Sequence, residues 1–118
     1  MDNLHPIFLI PFITGPIFII AGFVIMKYPP KKINWWYGYR TTNSMLSQER
    51  WDFAQLYAGR ELIKSGGLLL LLSIPGWFLK FESNEFTGLA VGLGTSLVFT
   101  LIAILKTEKA LRQKFGRI

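Results

Sequence analysis

The chain has no cysteine, a single histidine, and 7 acidic residues against 13 basic ones. Without cysteine there is no disulfide, no thiolate nucleophile and no Cys-ligated metal, while the compartment stays open. One histidine cannot build a metal centre that needs several ligands, so no metal and no cofactor is expected. His5, at the mouth of an apolar stretch, is read as an interfacial imidazole. Neither a Gly-rich phosphate loop nor a Ser-His-Asp set is present. The most informative absence is that of charge from two long stretches, residues 4–26 and 86–105.

At about 1.5 Å of rise per residue these stretches reach roughly 34 and 30 Å, against a bilayer hydrocarbon core of about 30 Å. Both are long enough to span. A third apolar run, 65–79, reaches only about 22 Å, so its helix must borrow from its flanks. A helix over 62–81 puts Lys64 and Lys80 near its ends, with Lys64 snorkelling toward the headgroups. A soluble fold is disfavoured, because so short a chain leaves too few residues to cover three apolar faces. The expected fold class is an all-α membrane protein of one domain. Three transmembrane helices cover about 4–26, 62–81 and 86–105, joined by a motif loop at 27–61 and followed by a basic tail at 106–118.

Charge supplies the orientation. Lys27, Lys31, Lys32, Arg40, Arg50, Arg60 and Lys64 lie between the first two spans. Lys106, Lys109, Arg112, Lys114 and Arg117 follow the third, and only Lys80 lies between the second and third. Basic residues concentrate on the cytoplasmic side, so the N-terminus is expected outside the cell membrane. The long loop and the C-terminus are expected inside, and the turn at 80–85 outside. The net charge of +6 then calls for no nucleic acid, since anionic lipid headgroups attract such clusters by about 1 kcal/mol per residue. The first apolar stretch is read as a retained span rather than a cleaved signal, because Met1-Asp2-Asn3 puts no basic residue before it.

The spans differ in texture. Pro16 after Gly15 is expected to kink the first, with Thr14 bonding a carbonyl freed there. In the third, Gly88, Gly92 and Ser96 recur four apart and form a helix-packing seam. The short outer turn makes the second and third spans antiparallel neighbours, so the seam is expected to meet the second span. A homo-oligomer or another membrane protein is the sharper alternative. Gly66-Gly67 is read as close helix packing.

The loop from Asn34 to Gly59 is too aromatic for a linker. Pro29 and Pro30 end the first helix, Trp35, Trp36, Tyr37 and Tyr39 suit the headgroup layer, and Gly38 allows a tight turn among them. Ser47 is an N-cap candidate, after which Trp51, Ala54, Ala58 and Leu62 recur at helical spacing. They predict a cytoplasmic interfacial helix leading into the second span. Arg40 offers a planar fork of donors suited to phosphate or carboxylate, with Thr41 and Ser44 adding hydroxyls, and a lipid phosphate is the nearest anion. Trp51 is read as packing before ligand stacking. Glu49 and Asp52, three apart, share a face and are the one pair on which an intramembrane lipid-headgroup enzyme would rest. Their position just after Ser47 is better explained by the positive end of the helix dipole.

The run Gly38-Tyr39-Arg40-Thr41, then Ser44, Trp51, Ala54 and Gly59 before an apolar helix, resembles the signature of the SdpI/YfhL family of small membrane proteins. Two departures stand out. Relatives often have Asn after the alanine where this sequence has Gln55, which keeps an amide on a longer arm. The namesake carries additional spans before this module that this sequence lacks. The resemblance implies protection of the producing cell against a secreted, membrane-active peptide toxin, and in the namesake also capture of a repressor at the membrane. It carries over to Gly38, Arg40, Thr41, Ser44, Trp51, Ala54 and Gly59. The function expected is thus a non-enzymatic immunity-type membrane protein. Its site would comprise Arg40, Thr41, Ser44, Trp51 and Gln55, framed by Gly38, Ala54 and Gly59. An accessory subunit of a larger membrane complex is the third possibility, suggested by the seam.

Overall fold

A computed structural model describes residues 5–78 and 84–116, and all of its regular structure is helical. Three helices, α1 (Pro6–Lys27), α2 (Gln48–Ser73) and α3 (Glu85–Phe115), run up, down and up, with a 3₁₀ turn at Ile74–Trp77 after α2. Residue 4 of the first expected span, residues 79–81 of the second, the outer turn with Lys80, and Arg117 of the tail lie outside the described residues.

Local chemistry sets the helix ends. His5 caps α1, its Nδ1 accepting the Ile7 N–H at 3.3 Å, and Pro6 follows where a missing N–H costs nothing. The helix stops at Lys27, just before Pro29 and Pro30. Ser47 caps α2 through the Arg50 N–H at 3.1 Å, and Asn84 caps α3 through the Thr87 N–H at 2.7 Å. Pro11 and Pro16 sit inside α1, yet Thr14 does not serve the carbonyl that Pro16 frees. Its hydroxyl bonds its own Ile10 carbonyl at 2.9 Å and the Ser96 hydroxyl of α3 at 2.9 Å.

Two sequence expectations about α2 need correction. The interfacial helix and the second apolar segment are not separate elements but one helix of 26 residues, because nothing between Ser47 and Ser73 breaks it. That helix does not run on to residue 81. Pro75 has no N–H to donate and its ring crowds the preceding turn, so the α-helix gives way to the 3₁₀ turn at Ile74. In α3 the helix continues through the basic tail as far as Phe115.

Glycine pairs set the α1–α2 crossing. A Cβ at Gly15 would lie 2.8 Å from the Gly66 carbonyl oxygen, and one at Gly59 would lie 2.6 Å from Met26 Cγ and 3.0 Å from the Gly22 carbonyl oxygen. Backbones touch at both places, which no larger residue permits. Gly67 faces nothing within 4 Å, so only Gly66 of that pair packs. The seam of α3 also turns out differently from expectation, because it meets α1. Gly88 abuts the His5 imidazole, Gly92 lies against Pro6 and Ile10, and Ser96 bonds Thr14. Contact with α2 comes instead through Ser65, whose hydroxyl donates to the Phe99 carbonyl at 3.5 Å.

Most large apolar side chains lie on the outside, although Trp51, Leu69 and Leu111 are fully buried. The interior holds glycines and small hydroxyls such as Ser65, Ser73, Ser96 and Thr107, while Ile20, Leu71, Leu97 and Leu105 are each about 60 % exposed or nearly so. Such surfaces suit lipid. Among the described residues α1 and α3 are long and apolar enough to cross a membrane. In the middle of α2, Arg60, Glu61 and Lys64 interrupt the apolar sequence. Lys64 reaches back to Glu61 at 3.9 Å, toward the loop end of the bundle, so its charge does not point into the apolar half.

Candidate functional site

The loop between α1 and α2 folds over one end of the bundle. Asn34 starts it, its Oδ1 accepting the N–H groups of Trp36 (3.0 Å) and Tyr37 (2.7 Å). Trp35 and Trp36 are left more than three-quarters exposed, while the Tyr37 hydroxyl donates to the Tyr28 carbonyl at 2.6 Å at the surface. At Gly38 the chain reverses with φ +107°, and a Cβ there would sit 2.6 Å from Gln55 Oε1 and 2.7 Å from Pro30 Cγ.

That reversal delivers the Tyr39 backbone to Gln55. The fully buried amide accepts the Tyr39 N–H at 2.7 Å and donates to the Tyr39 carbonyl at 2.9 Å, so one side chain pairs both polar groups of a loop residue. Beyond it, Thr41 and Ser44 bond reciprocally: Thr41 N–H to Ser44 Oγ at 2.9 Å, Ser44 N–H to Thr41 Oγ1 at 3.1 Å. Trp51 is fully buried and donates its indole N–H to the Pro30 carbonyl at 2.7 Å. Arg50 donates to Asn43 and to the Phe115 carbonyl at 3.0 Å, tying the end of α3 to the start of α2.

Glu108 of α3 completes the clasp. Its Oε2 accepts the Tyr39 hydroxyl at 2.7 Å and the Thr41 hydroxyl at 3.0 Å. Burial, then the hydrogen bond and charge of Glu108, raise the Tyr39 phenol well above its ordinary value, so Tyr39 stays a donor.

The candidate site residues therefore divide. Ser44, Trp51 and Gln55 are buried with their polar atoms bonded within the fold; Ala54 is also wholly buried, and Gly59 packs on α1. Arg40 and Thr41 reach the surface of a cleft of about 230 Å³ lined by Ile25 of α1, Ala58 and Leu62 of α2, and Ala103 and Ile104 of α3. Glu49 and Asp52 are both exposed, and Asp52 accepts from Gln48 Nε2 at 2.8 Å. They border a shallow depression beside Lys114 and Phe115, away from Arg40. Sequence reasoning missed Glu108. Its signal was available, as the lone acid among the basic residues from Lys106 to Arg117.

Residues 31–105 match the model of the SdpI/YfhL protein family. The uncharacterized protein YfhL of Bacillus subtilis (strain 168) is 39% identical over 100 residues, covering 85% of this chain and 84% of that protein. No solved structure matches.

Proposed function

Because the chain belongs to the SdpI/YfhL protein family, we propose that it is a non-enzymatic integral membrane protein of the immunity type, guarding its cell against a membrane-active peptide toxin. The observation that carries this is the loop-end frame. Trp51, Thr41 and Ser44 of the family pattern, together with Gln55, build an internally bonded platform and leave Arg40 exposed on its surface beside a cleft between the helices. A platform that is fully bonded inside and cationic outside is suited to recognition. The one carboxylate pair proposed for catalysis is exposed and lies elsewhere.

In this reading α2 is the second of three spans. It runs antiparallel to α1 from Gly59 beside Gly22 to Trp77, whose ring meets Phe12 edge-on at 5.4 Å. The loop and the tail face the cytoplasm and the start of α1 faces outward, following the basic residues. The seam of α3 is filled by α1 of the same chain.

The test is protection. Cells sensitive to membrane-active peptides are challenged with and without the chain, and with Arg40→Ala at matched membrane abundance. Survival is expected to rise with the wild type and to fall back with the variant. Unchanged sensitivity to every peptide removes the immunity role.

A further inference from the structure

The cleft beneath Arg40 has the chemistry of a lipid site. α1 and α3 are drawn together at their outer ends, where Gly92 and Ser96 sit on Ile10 and Thr14, and toward the loop end the small side chains of Ala58 and Ala103 leave space between the helices. Thr100 and Thr107 also line this space, but their hydroxyls bond the carbonyls of Ser96 (3.0 Å) and Ala103 (2.8 Å) in their own helix. Only their methyl groups remain for a ligand, so the walls are apolar. A peptide backbone entering here would find no partners for its polar groups, whereas a hydrocarbon chain needs none. At about 230 Å³ the cleft falls below the roughly 300–1,000 Å³ of drug-sized sites, which suits part of one chain.

The mouth of the cleft is cationic. Arg40 is exposed and makes no hydrogen bond or ion pair among the described residues. It borders both the cleft and an adjoining bowl of about 720 Å³ that includes Asn34, Trp35 and Thr42. The acid nearby in the fold, Glu108, is engaged by the Tyr39 and Thr41 hydroxyls. We infer that the cleft takes part of one acyl chain of a membrane phospholipid, with Arg40 binding the phosphate and the headgroup lying in the bowl beside Trp35. This rests on the reading of the chain as an integral membrane protein and is independent of the immunity role.

The experiment is native mass spectrometry of the delipidated full chain, titrated with phosphatidylglycerol, with diacylglycerol of the same chains, and with inorganic phosphate as competitor. Wild-type protein is expected to retain one phosphatidylglycerol in preference to diacylglycerol, undisturbed by inorganic phosphate. Arg40→Gln should weaken that retention about tenfold or more while leaving diacylglycerol binding unchanged. Ala103→Phe, which fills the cleft, should abolish it. Equal retention of the two lipids overturns the inference, as does indifference to Arg40→Gln or displacement by inorganic phosphate. The lipid comparison and the exposed Arg40 variant carry the test even if Ala103→Phe fails to fold. Recovery of the chain from the aqueous phase without detergent would instead refute the membrane reading itself.

Discussion

At the scale of single residues, Gln55 organises the loop, since its amide meets both backbone groups of Tyr39. Gln55→Leu keeps the volume and removes both bonds, and is expected to lower stability by about 1–3 kcal/mol in chemical denaturation of detergent-solubilised protein. Gly38→Ala attacks the same contact from the other side, through a strained φ and a clash with Gln55 Oε1, and should cost about 1–3 kcal/mol. Because the two share a partner, the double variant should lose less than the sum of the singles, and strict additivity would refute the clasp. Tyr39 makes a separate prediction. Its phenol is raised in the folded state, so its contribution is intact below the ordinary phenol value near 10 and is lost as pH climbs through the folded value. Stability should therefore decline above about pH 10, and Tyr39→Phe should flatten this decline; an identical alkaline profile in the variant would refute the assignment. The Gly38 turn and the Ser47 cap are legible in the sequence, being signals local to a few residues. The partnership of Tyr39 with Glu108 is not, because 69 positions separate them.

At the scale of helices, the fold depends on where glycine is enclosed and where it is not. A Cβ at Gly66 runs into the Gly15 carbonyl and Ile19, with no flexible group able to yield on the backbone side, whereas Gly67 and Gly94 look onto open space. Gly66→Ala is expected to force α1 and α2 apart at a cost of about 1–3 kcal/mol. Gly67→Ala and Gly94→Ala should be neutral or stabilising by up to about 1 kcal/mol, through helix propensity alone. Unfolding in mixed micelles distinguishes the two outcomes, and equal effects at Gly66 and Gly67 would count against the backbone contact. The sequence marks all of these glycines alike. It also marks the α3 seam, but which helix fills it depends on how three rods arrange themselves, and the short outer connection proved a poor guide.

At the scale of the whole molecule, the two ends of α2 differ: the loop platform lies at one, the apolar 3₁₀ turn Ile74–Trp77 at the other. Three spans require the start of α3 and its end to lie on opposite sides of the membrane. The absence of native cysteine makes this directly measurable with single cysteines at exposed positions. Glu85→Cys is expected to react with an impermeant maleimide in intact cells, and Gln113→Cys only after permeabilisation. Reaction of both under the same condition would exclude the topology. The platform also predicts coupling between distant parts, since Arg50 holds the carbonyl of Phe115 and Glu108 holds Tyr39 and Thr41. Truncation before Glu108 should therefore expose the loop to limited proteolysis.

From its sequence alone the protein was bound to be helical and apolar on the outside, with a first helix over about 4–26, another after Ser47 and a third near Phe86, because uncharged runs, caps and prolines act on their immediate neighbours. Tertiary structure decided that α1 lies on the glycine seam, that Ser44, Trp51 and Gln55 turn inward, and that Arg40 alone of the motif's charged or amide side chains is left at the cleft. Those outcomes depend on hydrogen bonds and backbone contacts between residues tens of positions apart, whose partners exist only once the three helices are packed.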